Sequence, residues 1–231
     1  MAIFAISDLH LALSQDKPME IFGGNWENYM GRIKENWQNT VKDDDVVLIP
    51  GDVSWAMYIK NAIEDFKFIN NLPGRKIISK GNHDYWWETN TKLYNFAKEN
   101  GFLKIDFLHN NAFDLGEYAV CGSRGYSVTT TNVETLSDEE SKIYNRELAR
   151  FSLSIAEAKK LGDKKIIAML HYPPGINSEF TKIMKDNGVS VCLYGHLHGG
   201  SHKMATEGEI DGIFYKLVSC DYMDFTPYKI L

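Results

Sequence analysis

The stretch Ile3-Phe4-Ala5-Ile6-Ser7-Asp8-Leu9-His10 is the most informative part of the chain, because an apolar run is followed at once by an aspartate and a histidine. The run Ile3–Ile6 has the length and composition of a strand that is covered on both faces. Aspartate and histidine side chains are common ligands of divalent metals. The stretch therefore predicts a strand that delivers metal-binding side chains at its carboxyl end.

Four other apolar runs end in the same way, and together the five form an ordered set. Val46–Ile49 precedes Gly51-Asp52, Lys76–Ser79 precedes Gly81-Asn82-His83-Asp84, Ile166–Leu170 precedes His171, and Val189–Tyr194 precedes Gly195-His196-Leu197-His198. In α/β sheets the ligand crevice lies outside the carboxyl ends of the strands. Since no cysteine belongs to these clusters, their oxygen and imidazole donors predict a catalytic metal site with exchangeable positions.

Helical patterns separate several of these strands, which predicts an α/β fold. The expected helices are a stripe from Trp26 to Trp37, a segment from about Met57 to Asn70, a segment from Glu88 to Lys98, and a long helix that follows a capping box at Ser137-Asp138-Glu139-Glu140. Another strand is expected at Ala119–Cys121. Because the strands after Ile105 lack clear intervening helices, we expect part of the sheet to be antiparallel or to form a second sheet.

Length and composition predict one folded domain that spans residues 1–231. Hydrophobic residues make up 44% of the chain, and the net charge of −6 disfavours nonspecific binding to nucleic acid. The three scattered cysteines are expected to be buried thiols. No run of apolar residues is long enough to span a membrane and no leader pattern is present, so a cytoplasmic protein is expected.

The ordered clusters resemble the motifs of the calcineurin-like metallophosphoesterase family. The family pattern is D-x-H, G-D, G-N-H-D/E, H and G-H-x-H in that order, and residues 1–200 contain all five blocks. The resemblance implies a four-layer α/β/β/α sandwich of mixed sheets, two metal ions at one edge, and hydrolysis of phosphoesters.

Each ligand role implied by the resemblance is carried over by position. The first metal would be held by Asp8, His10 and His198, the second would be held by Asn82, His171 and His196, and Asp52 would bridge the two. His83 would act near the substrate without binding metal. Trp55 stands where the serine/threonine phosphatases of the family have a second acidic residue, so the carboxylate that orients their catalytic histidine is missing there.

The charge of such a site favours a phosphate group as the substrate. Two divalent ions would bring four positive charges and the carboxylates of Asp8 and Asp52 would neutralise two of them, which leaves the ligand shell at about +2. A metal-bound hydroxide is expected to attack the phosphorus atom, and His83 is expected to protonate the leaving alkoxide as general acid. Asp84 is a second catalytic candidate, as a partner that orients His83.

The cofactors expected are two divalent metal ions, with manganese as the family-level expectation for at least one site and Fe, Zn, Co or Ni as alternatives. Asn82 and Arg124 are the expected substrate-binding residues. Arg124 follows a strand in the middle of the chain, where it would clamp a phosphate or would simply be a solvated loop arginine. The expected partner is a small phosphorylated substrate, with no membrane.

Two other functions are compatible with the sequence. A non-catalytic metal-binding scaffold of the same fold would lack turnover with every divalent metal, although the complete ligand set argues against it. A metal-dependent hydrolase of another bond, such as an amide, has no positive support among the motifs. Inhibition by phosphate but not by acetate would argue against it.

Overall fold

The computed structural model describes residues 1–17, 19–127 and 136–230. By their contacts these residues divide into two compact units. Unit 1 consists of Met1–Phe107 and Val218–Leu231, and unit 2 consists of Leu108–Leu217. The prediction of one domain over residues 1–231 stays a prediction. The polar stretch Ser127–Ser141, which the sequence suggests is a mobile loop, lies partly outside the described residues.

Unit 1 is built on a five-stranded mixed sheet with the order β11-β1-β2-β3-β4. Its strands are β1 (Ile3–Ala5), β2 (Val46–Ile49), β3 (Arg75–Ser79), β4 (Ile105–Leu108) and β11 (Tyr228–Lys229). The strands β1, β2 and β3 are parallel, whereas β11 is antiparallel to β1. The first three strands are buried along nearly their whole length, which explains why their sequences are continuous apolar runs.

Three helices accompany this sheet, namely α1 (Tyr29–Thr40), α2 (Ile63–Asn71) and α3 (Asn90–Glu99). The buried residues of α1 are Tyr29, Ile33 and Trp37, so Ile33 and Trp37 of the predicted stripe are buried as expected, whereas Trp26 precedes the helix in a 3-10 turn. The predicted second helix begins too early, because a short 3-10 turn at Ile59–Asn61 precedes α2. The third helix is found within two residues of its predicted bounds.

Unit 2 is built on a six-stranded mixed sheet with the order β5-β6-β7-β8-β10-β9. Its strands are β5 (Phe113–Leu115), β6 (Tyr118–Ser123), β7 (Lys165–Leu170), β8 (Val189–Tyr194), β9 (Gly208–Ile210) and β10 (Ile213–Leu217). The four central strands are parallel, and the edge strands β5 and β9 are antiparallel to their neighbours. The later strands are expected from the sequence to be partly antiparallel or to form a second sheet, and both features are present.

Two helices connect the parallel strands of unit 2, namely α4 (Asp138–Lys159) and α5 (Glu179–Asp186). The capping box predicted for α4 is present, since the Ser137 hydroxyl accepts from Glu140 N–H and the Glu140 carboxylate accepts from Ser137 N–H. The expectation that no clear helices separate the later strands is wrong for α5. This helix has only eight residues, too few to produce a readable period.

The two mixed sheets and their helices confirm the α/β class and agree with the calcineurin-like fold. Among the described residues, no helix is both long enough and apolar enough to cross a bilayer. All three cysteines are buried free thiols, as expected. The predicted metal-binding clusters of unit 1 follow β1, β2 and β3, and those of unit 2 follow β7 and β8.

A buried carboxylate, that of Asp84, ties together the loops that follow β2 and β3. Its two oxygens accept hydrogen bonds from the backbone N–H groups of Asp52 (2.8 Å), Val53 (2.9 Å), Ser54 (3.4 Å) and Gly81 (2.7 Å), and from the indole N–H of Trp86 (3.0 Å). Burial raises the pKa of the carboxyl to about 6, while the backbone donors lower it. Every donor comes from within unit 1, so this one side chain fixes the loop that carries Asp52.

The same two loops touch at a pair of glycines. A Cβ added to Gly81 would overlap Asp52, and a Cβ added to Gly51 would overlap the backbone of Gly81. Gly51 also has a φ of 86°, a conformation that favours glycine. Glycine at these two positions therefore permits the close approach of the two loops beside the candidate ligands.

Lys76 is the one lysine side chain with no solvent exposure among the described residues. It lies on β3, its ammonium donates to the Leu72 carbonyl, and its Nζ is 6.0 Å from the centroid of the Trp37 ring. Burial lowers its pKa from 10.5 to about 7, with a smaller lowering by Lys104 and an opposing effect of Asp43. The folded protein therefore disfavours the charged form of this side chain.

Replacement of Asp84 by asparagine is expected to destabilise the protein, because the amide NH2 would face N–H donors whichever way the group is turned. We expect a loss of about 2–4 kcal/mol in the free energy of unfolding, measured by urea denaturation without added metal. The exposed Asp43→Asn variant, which loses only a surface ion pair with Lys104, is the control and should change by less than about 0.5 kcal/mol. Equal stability of Asp84→Asn and the wild type would contradict this role.

Lys76 should make the stability of the protein rise with pH between about 7 and 10.5. Across this range the unfolded chain keeps a proton on Lys76 that the folded protein has released, and stability rises with pH when the unfolded state binds more protons. The Lys76→Met variant should lack this part of the slope and should be about 1–3 kcal/mol more stable than the wild type at pH 6. Urea denaturation at several pH values tests this.

The exposed Lys67→Met variant on α2 serves as the control for loss of one positive charge. Its slope of stability against pH should match that of the wild type. If Lys76→Met and the wild type have parallel curves from pH 7 to 10.5, the buried ammonium does not titrate in this range.

Candidate metal centre

The loops after β1 and β2 run side by side and are joined by backbone hydrogen bonds. Asp8 N–H donates to the Gly51 carbonyl, His10 N–H to the Asp52 carbonyl, and Leu11 N–H to the Val53 carbonyl, each at 3.0 Å. Trp55 N–H returns a bond of 3.0 Å to the Leu11 carbonyl. The parallel pairing of β1 and β2 thus continues beyond the strands and sets Asp8 and His10 beside Asp52.

Three residues of these loops have left-handed backbone conformations. The φ angles are 59° for Asp8, 45° for His10 and 53° for Asp52. For residues that carry a Cβ this region is unfavourable by about 1–3 kcal/mol each, and such residues cluster at functional sites. The surrounding hydrogen bonds hold the three residues in this conformation, so their polar side chains leave the backbone in a direction that is unusual for residues with a Cβ.

The side chains of Asp8, His10 and Asp52 come close enough to share a metal ion. A carboxylate oxygen of Asp8 lies within 4.8 Å of a ring nitrogen of His10 and within 4.8 Å of a carboxylate oxygen of Asp52. The Nε2 atom of His10 lies 3.9 Å from Oδ2 of Asp52. All three residues are nearly inaccessible to solvent. Two buried carboxylates this close repel each other, and a divalent cation would remove that repulsion, so the donor set fits a metal.

Asp8 is held by residues from both ends of unit 1. The hydroxyls of Ser7 and Ser219 both donate to Oδ2 of Asp8, the latter at 3.0 Å. The thiol of Cys220 donates to the Asp8 carbonyl at 2.9 Å, and burial keeps the pKa of this thiol well above its usual value. Such outer contacts fix the orientation of a ligand and tune its affinity for metal.

His83 lies beside these residues with its backbone fixed to Asp52. Its N–H donates to Oδ1 of Asp52 at 2.8 Å, so one carboxylate contacts both the His10 and the His83 positions. The His83 ring is 5.7 Å from the His10 ring, 4.5 Å from the Trp55 ring and 6.2 Å from the Tyr85 ring, measured between centroids. An imidazole placed beside the candidate ligands fits the role of a proton donor.

The hydrogen bonds of the Asp84 carboxylate go to N–H groups of the Asp52 loop, Gly81 and Trp86, and none goes to the His83 side chain within the described part of the chain. The suggestion that Asp84 orients His83 therefore has no hydrogen bond to support it. Its catalytic role stays a prediction. Asn82, the remaining candidate ligand of unit 1, lies between Gly81 and His83 and is half-buried.

Unit 2 brings together His171 and His196, whose ring centroids are 5.2 Å apart. The Gly195 N–H donates to the His171 carbonyl at 3.0 Å, which joins the ends of β7 and β8. Tyr172 lies beside both histidines, with its ring 5.2 Å from the His171 ring and 4.4 Å from the His196 ring. His196 has a φ of 73°, so it shares the left-handed conformation of the candidate ligands of unit 1.

His198 and Arg124 occupy the loops after β8 and β6. The backbone of His198 is fixed by Ser201, whose hydroxyl accepts from His198 N–H at 2.8 Å. The Arg124 carbonyl accepts from the N–H groups of His171 and Tyr172, each at 3.1 Å. The Nε atom of Arg124 is buried and has no hydrogen-bond partner among the described residues, and its guanidinium lies 5.9 Å from the Tyr172 ring. A buried donor of this kind fits an anionic ligand better than a solvated loop position.

The structure thus gathers four predicted residues in unit 1, namely Asp8, His10, Asp52 and His83, and gathers His171 and His196 in unit 2. The roles of these residues, and those of Asn82, His198 and Arg124, stay predictions. Sequence reasoning missed Ser219 and Cys220, because they support Asp8 across 211 or more positions and belong to no motif. It also missed Lys17, whose ammonium rests on the Trp55 ring.

Solved structures with a similar fold include two hydrolases. The chain is 13% identical to the phosphopantetheinyl hydrolase PptH of Mycobacterium tuberculosis, with a TM-score of 0.58 and coverage of 100% of this chain and 95% of that chain. It is 13% identical to the sulfate thiohydrolase SoxB of Thermus thermophilus, with a TM-score of 0.50 and coverage of 95% and 52%. The protein AQ665 of Aquifex aeolicus, of unknown function, is 15% identical, with a TM-score of 0.50 and coverage of 98% and 94%. At these identities the likeness shows the fold alone.

Sequence comparison is more specific than these structural likenesses. No curated protein matches the chain at a significant level. The sequence model of the calcineurin-like phosphoesterases, in contrast, matches residues 1–200, which contain every one of the candidate ligands described above. The chain belongs to the calcineurin-like phosphoesterase family.

Proposed function

We propose that the protein is a dinuclear metal-dependent phosphoesterase that hydrolyses a phosphomonoester or a phosphodiester. Membership of the family supports the hydrolase class. The observation that carries the proposal is the position of the Asp52 carboxylate, with Oδ2 3.9 Å from His10 Nε2 and Oδ1 accepting from His83 N–H. A carboxylate with these neighbours suits a bridge between two metals.

The proposed ligands follow the motif positions of the family. Asp8, His10 and His198 would hold one metal, Asn82, His171 and His196 would hold the other, and Asp52 would be a ligand of both. Manganese is proposed for at least one position, and the nitrogen and oxygen donors also suit Fe, Zn, Co or Ni. We further propose a small phosphorylated substrate and a cytoplasmic location. Bound metals would lower the pKa of a water molecule, supplying the attacking hydroxide, and would neutralise charge on the phosphate oxygens.

The residues of the chain perform the remaining steps. His83 donates a proton to the leaving oxygen, since its ring lies beside the candidate ligand His10 and beside Trp55. Arg124 binds a non-bridging phosphate oxygen through its guanidinium, whose Nε atom is buried. Trp55, which is 8% exposed, excludes water from one side of His10. PptH is named as a hydrolase of a phosphopantetheinyl group, and a phosphorylated substrate of that general kind agrees with the proposal.

The proposal predicts that protein loaded with manganese hydrolyses bis-(p-nitrophenyl) phosphate or p-nitrophenyl phosphate. Asp52→Asn should lose both bound metal and turnover, because a neutral amide does not bridge two cations well, whereas the exposed Asp43→Asn control should keep both. Release of nitrophenolate and metal content by mass spectrometry are the measurements. Absence of turnover with Mn, Fe, Co, Ni and Zn would favour a non-catalytic scaffold.

His83→Ala should keep its metal and lose most of its turnover, because it removes the proton donor and no ligand. We expect kcat to fall by about 10²- to 10⁴-fold, with metal content equal to that of the wild type. His109→Ala, which changes a half-buried histidine on a turn of unit 2, is the matched control. If metal content fell in step with activity in His83→Ala, His83 would be a ligand and not a general acid.

A further inference from the structure

Lys17 places a positive charge against the aromatic wall of the candidate metal centre. Its Nζ lies 3.1 Å from the centroid of the Trp55 ring, within the range of a cation–π contact. The side chain is partly exposed, and burial lowers its pKa from the usual value. The ammonium is therefore held at one position on the indole and still faces solvent.

The other face of the same indole is covered by His10. The two rings are stacked, with centroids 4.8 Å apart and an interplanar angle of 22°. A ring this close and this nearly parallel leaves no room for an ammonium on its own side, so Lys17 lies on the opposite face. Since stacked groups are about 3.5 Å apart, the ammonium is about 6–7 Å from the plane of the His10 imidazole.

The loop that carries Lys17 is anchored to the site at two further points. The indole N–H of Trp55 donates to the sulfur of Met19 at 3.2 Å, and Leu13 N–H donates to the buried Asp65 carboxylate at 2.8 Å. Asp65 also accepts from the Ser54 hydroxyl, next to Trp55. Contacts of Leu13, which precedes Lys17 in the chain, and of Met19, which follows it, thus fix the position of Lys17 relative to Trp55.

Among the residues that the structure describes, no carboxylate lies within ion-pair distance of this ammonium. Lys17 forms no ion pair with any residue in the ranges that the structure describes, whereas the surface ion pairs of the chain engage many of its other lysines. A positive charge that is positioned by an aromatic ring and lacks a negative partner is suited to bind an anion. Trp55 also contacts His83 at 4.5 Å, so such an anion would belong to the molecule on which His83 acts.

We infer that Lys17 is a substrate-binding residue that recognises a second anionic group, a phosphate or carboxylate, besides the phosphoryl group that is hydrolysed. The Lys17 ammonium is too far from the plane of the His10 imidazole to bind the phosphate oxygens nearest a metal that His10 would hold. The substrate class is therefore a phosphoester that carries another negative charge a few bonds from the reacting phosphorus. This inference rests on the proposed function of the same site.

The test compares two unreactive phosphonates of equal length, 4-phosphonobutanoate and butylphosphonate, which differ by one carboxylate. Their dissociation constants are measured by calorimetry on manganese-loaded protein, so the test needs no turnover. The wild type should bind 4-phosphonobutanoate about 10-fold more tightly than butylphosphonate. Lys17→Met keeps an unbranched side chain on the indole without the charge, and should reduce the difference to less than about 2-fold. Its affinity for butylphosphonate and its metal content should not change.

Two control variants separate charge from packing. Lys17→Arg keeps a cation over Trp55 and should retain the preference for 4-phosphonobutanoate, and the exposed Lys67→Met should behave like the wild type. The inference would be overturned if the wild type bound the two phosphonates equally or bound neither of them. It would also be overturned if the ratio of the two dissociation constants were the same in Lys17→Met as in the wild type. If the wild type prefers 4-phosphonobutanoate but does not hydrolyse nitrophenyl phosphates, the result instead counts against the proposed function.

Discussion

The hydrogen bonds accepted by the buried Asp84 carboxylate are the constraint on which the candidate centre depends. They connect the loop after β2, which carries Asp52, to the loop after β3, which carries Asn82 and His83. The parallel backbone bonds from Asp8, His10 and Leu11 then connect the loop after β1 to the loop after β2. Three strand ends are therefore joined into one rigid edge, and the left-handed conformations of Asp8, His10 and Asp52 persist because that edge enforces them.

This rigidity has an electrostatic consequence. Folding brings the buried carboxylates of Asp8 and Asp52 within 4.8 Å of each other, an arrangement that a divalent cation stabilises and that is unfavourable without one. The hydroxyls of Ser7 and Ser219 are both directed at Oδ2 of Asp8, and His83 N–H is directed at Oδ1 of Asp52. Each carboxylate is thus oriented before any metal arrives, which reduces the reorganisation that binding requires. Aromatic contacts of Trp55 with His10 and His83 complete this side of the centre.

The sequence predicted the parts of this structure that follow from local pattern. Continuous apolar runs located β1, β2, β3, β7 and β8, and the rule that ligands gather at the carboxyl ends of parallel strands placed Asp8, Asp52 and His83 together. It did not predict α5, which is too short to show a period, or the short strands at the sheet edges, which have few apolar residues. It named Asp84 as a candidate partner of His83, which stays a prediction, and it did not foresee that the Asp84 carboxylate accepts hydrogen bonds from backbone N–H groups and the Trp86 indole. Contacts such as Ser219 with Asp8, or Lys17 with Trp55, connect residues that share no motif, and only the folded chain reveals them.

The most direct test of this account is anomalous diffraction from a crystal soaked in excess manganese. The account predicts a strong anomalous peak that a carboxylate oxygen of Asp8, a carboxylate oxygen of Asp52 and a ring nitrogen of His10 all coordinate. It also predicts that the backbone of these residues keeps its left-handed conformation. Side chains of Asp8, His10 and Asp52 that point apart, with no anomalous density between them, would contradict it.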